Sequence, residues 1–128
     1  MLHIVESTKS IETLAADLEK AVARHGFGVL GVHDLKEAMA KKGVAFGPAC
    51  RIFEVCNPHQ AKKVLESDMR ISTALPCRIS LYDDGARRHL ATIRPTMLIG
   101  LYEAPALKSV AQEVETTLVA IMDEAARP

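Results

Sequence analysis

The sequence predicts a single α+β domain in which helices pack on a mixed β-sheet. Three observations lead to this prediction: amphipathic helical segments lie near both ends of the chain, strand-like runs alternate with helices, and a hairpin signal separates the last two strands. The chain has 128 residues, of which 48% are hydrophobic and 25% charged, as in ordinary globular domains. We therefore expect one domain over residues 1–128.

Four helices are predicted from apolar spacing and from residues that start or end helices. The side-chain oxygens of Asp34 and Asn57 can cap two of them. Pro58 and Pro105 suit first helical turns, and Gly26 suits a helix end. The predicted helices cover residues 10–25, 35–42, a segment from residue 58, and about 20 residues from residue 105. The first and last carry the strongest apolar stripes, so we expect them to cover the sheet.

Strand-like runs separate these helices, at residues 2–6, 27–32, 50–56, 77–83 and 88–93. The last two runs flank Asp84 and Gly85, the strongest short hairpin signal in the chain. The predicted order is therefore β-α-β-α-β-α-β-β-α, with no internal repeat and no linker.

The hairpin register can be predicted from the pattern of apolar residues. A three-residue connection that pairs Asp83 with Arg87 places two apolar sets on one face: Cys77, Ile79 and Leu81 with His89, Ala91 and Ile93. A two-residue loop would instead put Leu81 beside Arg88. We prefer the first register, which places Cys77 on the core side.

The composition limits the classes of partner and the cellular location that we expect. The chain has 16 basic and 16 acidic residues, and with two Tyr, three Phe and no Trp it offers no stacking platform, so we expect no nucleic-acid partner. No apolar run reaches the roughly 18 residues that span a bilayer, and the N-terminus lacks the features of a secretory signal. We expect no membrane partner, a cytoplasmic location and three reduced cysteines.

The chain has no phosphate-binding loop, nucleophile elbow or zinc-binding pair of histidines, so enzymatic activity is uncertain and no cofactor is indicated. The cysteines remain as candidates. Cys56 lies one residue before a predicted helix start, where the helix dipole lowers the pKa of a thiol. Alternatively, Cys56 and Cys77 are small buried hydrophobic residues at strand ends.

Histidines near these cysteines could contribute to a site. His59 follows Cys56 by three residues, in the first turn of the predicted helix. A metal site would need a further ligand, for example Cys77, His33 or Glu54, and the spacing cannot show that these residues converge. His33 also has a simpler interpretation, as the end of a strand before a helix cap.

Four segments, in the same order, give the chain a family resemblance: GFGVLGVHDLKEAMAKKG, CRIFEVCNPHQAKKVL, ALPCRISLYDDG and ATIRPTML. They are similar to segments of the domain of unknown function family numbered 302 (DUF302). The most telling residues are Cys56, Asn57, Pro58, Leu75, Pro76 and Cys77. The resemblance implies a compact α/β domain of the prokaryotic cytoplasm that often forms a dimer. It implies no established activity.

Three functional hypotheses follow. The first is a domain that binds a small ligand, a metal or a sulfur species near Cys56 and Cys77, with His59 and His33 as further candidates. The second is a homodimeric interaction module that uses a sheet face or the apolar segment Pro95 to Leu101. The third is an enzyme with Cys56 as nucleophile and His59 or His33 as base.

Overall fold

A five-stranded sheet and two long helices on one of its faces form the framework of the computed structural model, which describes all residues from Met1 to Pro128. The elements are β1 Leu2–Ser7, α1 Ile11–Arg24, β2 Gly28–Asp34, α2 Leu35–Lys41, β3 Cys50–Cys56, α3 Pro58–Ser67, β4 Cys77–Asp83, β5 Arg88–Ile93, α4 Pro95–Gly100 and α5 Lys108–Ala126. Two 3-10 turns, Met69–Ala74 and Pro105–Leu107, precede β4 and α5. The α+β class and the predicted order of strands and long helices are confirmed; α4 and the two turns are additional.

The sheet has the strand order β1-β5-β4-β3-β2, and all four strand pairs are antiparallel. The prediction of mixed strand directions was therefore wrong. β1 and β2 do run in the same direction, but α1 carries the chain from one edge of the sheet to the other, so these two strands never pair. The remaining strands are added next to one another by turns and short helices, which favours antiparallel pairing.

The β4–β5 hairpin has a four-residue connection, because Asp83 pairs with Arg88 and Leu81 with Leu90. The predicted pairing of Asp83 with Arg87 was wrong by one residue. In the observed register Leu81 and Leu90 are both fully buried, whereas the predicted register would have turned Leu90 away from the core. Cys77 does lie on the core side, as predicted.

His89 consequently lies on the opposite face from the one predicted. Its ring stacks on Tyr82, with the ring centroids 5.0 Å apart and the planes inclined by 21°. Its Nε2 lies 2.7 Å from Oδ2 of Asp84 in the hairpin loop. The other carboxylate oxygen of Asp84 accepts hydrogen bonds from the backbone amides of Ala86 and Arg87. Asp84 therefore ties the loop to the strand that follows it.

We expect Asp84→Ala to lower the melting temperature and to weaken the acid dependence of stability. The amide of Arg87, His89 and the amide of Ala86 hold the pKa of Asp84 well below its usual range. Because the folded-state pKa lies below the unfolded value of about 3.9, the stabilisation is complete above that value and is lost as the pH falls towards the folded-state pKa. Thermal denaturation between pH 2 and pH 7 measures the pH dependence of the melting temperature. Asp84→Asn removes the charge but keeps an oxygen that can accept the loop hydrogen bonds, so it distinguishes the two contributions. An unchanged pH profile in both variants would contradict the assignment.

The main core lies between the sheet and helices α1 and α5. The sheet contributes Phe53, Val55, Ile79, Leu81 and Leu90, and the helices contribute Leu14, Leu18, Val22, Leu118, Ile121 and Met122. A second, smaller cluster of Val64, Ile71 and Leu107 lies under α3 and the 3-10 turns. The two clusters do not merge, and the gap between them is where a site can form.

Candidate functional site

An apolar cavity of about 60 Å³ lies between the two core clusters. Fourteen of its 18 lining residues are hydrophobic. The lining comes from the residue before β2, the ends of β3 and β4, the 3-10 turn Met69–Ala74 with the two residues after it, and helices α3, α4 and α5. Ala61 and Val64 form the wall on α3, and Ala111 and Val114 form the wall on α5. The volume accommodates about two or three non-hydrogen atoms, since a cavity of about 150 Å³ holds benzene. We call this space the apolar cavity.

The turn from β3 into α3 positions one end of the apolar cavity. Asn57 caps α3, because its Oδ1 accepts hydrogen bonds from the amides of His59 (3.0 Å) and Gln60 (3.2 Å). Pro58 occupies the first helical turn, as predicted. This local geometry holds Cys56, Asn57 and Gln60 at the cavity wall.

The structure brings Cys56 and Cys77 to the same cavity. Val55 of β3 pairs with Cys77 of β4, and Cys56 is the residue that follows Val55. Both cysteines line the apolar cavity and both are free thiols. The segment before Cys77 contains a cis peptide bond between Leu75 and Pro76, which also lie in the cavity wall.

The electrostatic environment keeps both thiols protonated. Burial raises the pKa of Cys56, and burial together with the nearby Cys56 raises the pKa of Cys77 to about 11. For Cys56, burial outweighs the lowering of the pKa that is expected at a helix N-terminus, where Asn57 already binds the amides of His59 and Gln60. The cavity therefore presents neutral sulfur atoms.

The two histidines that were candidates lie outside the apolar cavity. His59 is exposed on α3. His33 is exposed on β2, and its Nε2 lies 2.8 Å from Oε1 of Glu54 on the sheet face opposite the main core. No three side chains of His, Cys, Asp or Glu converge closely enough to hold a metal ion.

Gln60 is the functional candidate that sequence reasoning missed. Its Oε1 is buried and has no hydrogen-bond partner, although Gln60 lines a mostly apolar cavity. The sequence places Gln60 at the third position of a helix, which is a common capping position and carries no sign of a ligand. Only the fold shows that Gln60 is part of the cavity wall and that its buried oxygen has no partner.

We expect Gln60→Met to raise the free energy of unfolding of the unliganded protein by about 1 kcal/mol, because it removes a buried acceptor without a partner and keeps the volume. Urea denaturation measures the change. Gln112→Met is the matched control, since Gln112 is exposed on α5 and should change stability little. A destabilised Gln60→Met variant would show that the amide makes a favourable interaction in the free protein.

A second cavity of about 200 Å³ adjoins the apolar cavity. Pro76, Cys77 and Leu98 line both spaces, so they form a shared wall. The second cavity is more polar, and its lining includes Arg78 and Thr92. Cys77 thus lies between an apolar and a more polar space.

The sheet face opposite the helices is uncovered, and we call it the open sheet face. Leu2, Ile4 and Ile93 on this face are 45–49% exposed. Leu2 pairs with Ile93, so the two residues lie side by side across β1 and β5. The other predicted interaction segment, Pro95 to Leu101, forms α4 and the residue after it, and Leu98 and Ile99 of α4 line the apolar cavity.

The fold and the site define a small α+β domain with an apolar cavity between two core clusters. The family model of the domain of unknown function DUF302 matches residues 3–125, so the chain belongs to this family. The crystal structure of an uncharacterised conserved DUF302 protein from Bacillus stearothermophilus is similar, with a TM-score of 0.92, 32% sequence identity and coverage of 98% of each chain. No curated protein matches the chain. No helix is both long and apolar enough to cross a membrane.

Proposed function

We propose that the protein binds a small, uncharged and largely apolar molecule in the apolar cavity. The observation that carries this proposal is the cavity itself, whose lining is almost entirely hydrophobic, with Asn57 and Gln60 as its polar residues. Small-molecule sites typically combine an apolar wall with a few placed polar groups. The neutral thiols of Cys56 and Cys77 add polarisable surface to that wall.

A small uncharged ligand fits the cavity better than the other ligands predicted from the sequence. A metal ion or a sulfur species held by cysteine would need thiolates, and the raised pKa values of Cys56 and Cys77 disfavour them. The enzyme hypothesis has the least support, because neither His59 nor His33 lines the cavity beside Cys56.

Xenon binding tests this proposal, because xenon enters apolar cavities without needing any specific contact. We expect xenon to shift the amide NMR signals of Ala61, Val64 and Cys77 in the full chain. Ala61→Leu should block these shifts by filling the cavity, whereas Ala40→Leu, at an exposed position of α2, should leave them unchanged. Xenon shifts that are absent from the wild type, or unchanged in Ala61→Leu, would contradict the proposal.

A second candidate function is homodimerisation through the open sheet face. The exposed Leu2, Ile4 and Ile93 support it, because a contiguous apolar patch of this kind is typical of an interface. Charges of both signs border the patch: Glu6 lies 3.5 Å from Arg87. Because the chain has no net charge, two copies do not repel each other strongly. A twofold axis can place the apolar patch of one copy on that of the other, with opposite charges meeting at the rim.

Light scattering on the purified chain tests dimerisation. We expect a dimer for the wild type and a monomer for Ile4→Glu, which places a charge in the middle of the patch. Leu30→Glu is the control, since Leu30 is 64% exposed on the edge strand β2, away from β1. A wild-type monomer at high protein concentration would contradict this second proposal.

A further inference from the structure

The second cavity lies where strands β4 and β5 separate. Their pairing ends at Ser80 and Ala91. Arg78 and Ile93, which would be the next pair to exchange backbone hydrogen bonds, are not paired. The carbonyl oxygen of Arg78 instead accepts a hydrogen bond from the hydroxyl of Thr92, at 2.6 Å. Because Arg78, Thr92 and Ile93 all line the second cavity, the cavity opens into the gap between the two strands.

The backbone amide of Ile93 faces this gap. In the hairpin loop the amide of Asp84 donates to the carbonyl of Arg87, and from that pair onward every second residue directs its amide at the partner strand. Ile93 is one of these residues, but it is not paired with Arg78. The amide of Ile93 is therefore a hydrogen-bond donor without a strand partner beside the second cavity.

Arg78 provides the only charged side chain in the lining of the second cavity. This side chain is 68% exposed, so a ligand at the mouth of the cavity can reach the guanidinium. Its ion pair within the chain is a long one, because Nε lies 4.0 Å from Oε2 of Glu54, beyond hydrogen-bonding distance. The other carboxylate oxygen of Glu54 lies 2.8 Å from Nε2 of His33. The guanidinium of Arg78 thus has donors available for an external acceptor.

The remaining walls of the second cavity are mostly apolar and include Leu75, Pro76 and Leu98. The volume of about 200 Å³ accommodates about eight non-hydrogen atoms, since a cavity of about 150 Å³ holds benzene. A short hydrocarbon chain with one polar end group therefore fits this space.

We infer that the second cavity binds a small monocarboxylate. Its short apolar chain would lie against Leu75, Pro76 and Leu98, and its carboxylate would accept hydrogen bonds from the guanidinium of Arg78 and the amide of Ile93. The planar fork of an arginine matches the two oxygens of a carboxylate, whereas a phosphate group, with about two negative charges, would find only one cation here. This site is separate from the apolar cavity, so the inference does not depend on the proposed function.

Hexanoate and hexanamide are a matched pair of probes for this site. They have the same number of non-hydrogen atoms and the same hydrocarbon chain, but only hexanoate is charged. We expect hexanoate to shift the amide NMR signals of Cys77, Arg78 and Ile93 in the full chain. Because the guanidinium is exposed to solvent, we expect hexanoate to bind only about fivefold more tightly than hexanamide.

Arg78→Gln should weaken hexanoate binding about fivefold and leave hexanamide binding unchanged. Glu54→Gln should strengthen hexanoate binding, because it removes a like charge near the guanidinium. Arg87→Gln is the matched control: Arg87 is 53% exposed at the loop end of the same hairpin, and the variant should keep the wild-type affinity ratio. Absence of hexanoate shifts in the wild type, or an unchanged hexanoate-to-hexanamide ratio in Arg78→Gln, would overturn the inference. Neither result would affect the xenon test of the apolar cavity.

Discussion

Phe53→Ala is expected to lower the free energy of unfolding by about 3–5 kcal/mol, since it removes a large side chain from a packed core. Phe53 is 1% exposed and is the largest fully buried side chain. It lies on the central part of β3, paired with Ile79 of β4, and belongs to the cluster that joins the sheet to α1 and α5. Little of the surrounding structure can relax into the space that the ring leaves.

Such a loss is a large part of the total stability of a domain, which is typically about 5–15 kcal/mol. Urea denaturation measures it, with the slope of the transition as a check that both variants unfold in one step. Phe46→Ala is the matched control, because Phe46 is 42% exposed and should change stability by less than about 0.5 kcal/mol. Equal effects at the two positions would show that the core is not centred on β3.

Much of the fold was predictable because it depends on local periodicity. The apolar stripe of α1 repeats every three to four residues, and Leu14, Leu18 and Val22 from that stripe are buried in the structure. Asp34 and Asn57 also cap α2 and α3 as their residue types predict. These signals act within one or two helical turns, so the sequence around each residue is sufficient to read them.

The hairpin register and the strand directions were not predictable in the same way. The register depends on a one-residue difference in loop length, which the side chain of Asp84 decides by accepting two loop amides. The direction of pairing depends on α1, which crosses the sheet so that β2 lies at the edge opposite β1. The direction of pairing is an outcome of tertiary packing, and the register changes with a single loop residue, which is enough to move His89 to the opposite face.

The candidate site was likewise predictable from the sequence only in part. The motif around Cys56 and Cys77 drew attention to two strand ends that the fold does bring to one cavity. Gln60 could not be singled out, because its importance lies in a missing partner, and only a three-dimensional arrangement shows that a partner is missing. His59 was selected by its proximity to Cys56 in the sequence, and His33 as a residue that would have to converge from another strand. Neither lines the cavity.

Alkylation of Cys77 by iodoacetamide should be slowed more than a hundredfold in the native protein at pH 8. With a pKa of about 11, Cys77 is ionised in roughly one molecule in a thousand at this pH, against about one in four for a free cysteine with a pKa near 8.5. The thiolate is the reactive form, so the rate falls with its population. Burial also raises the pKa of Cys56, which should therefore react slowly as well.

Mass spectrometry of the alkylated peptides resolves the three cysteines, and a sample in guanidinium, in which all three should react quickly, provides the reference rate. Cys50 pairs with Tyr82 on the open sheet face, away from the apolar cavity, and serves as an internal comparison in the native protein. Rapid native alkylation of Cys56 alone would favour its role as a nucleophile. Slow reaction of both Cys56 and Cys77 would instead favour the binding function, because neutral thiols suit the wall of a cavity that holds an uncharged molecule.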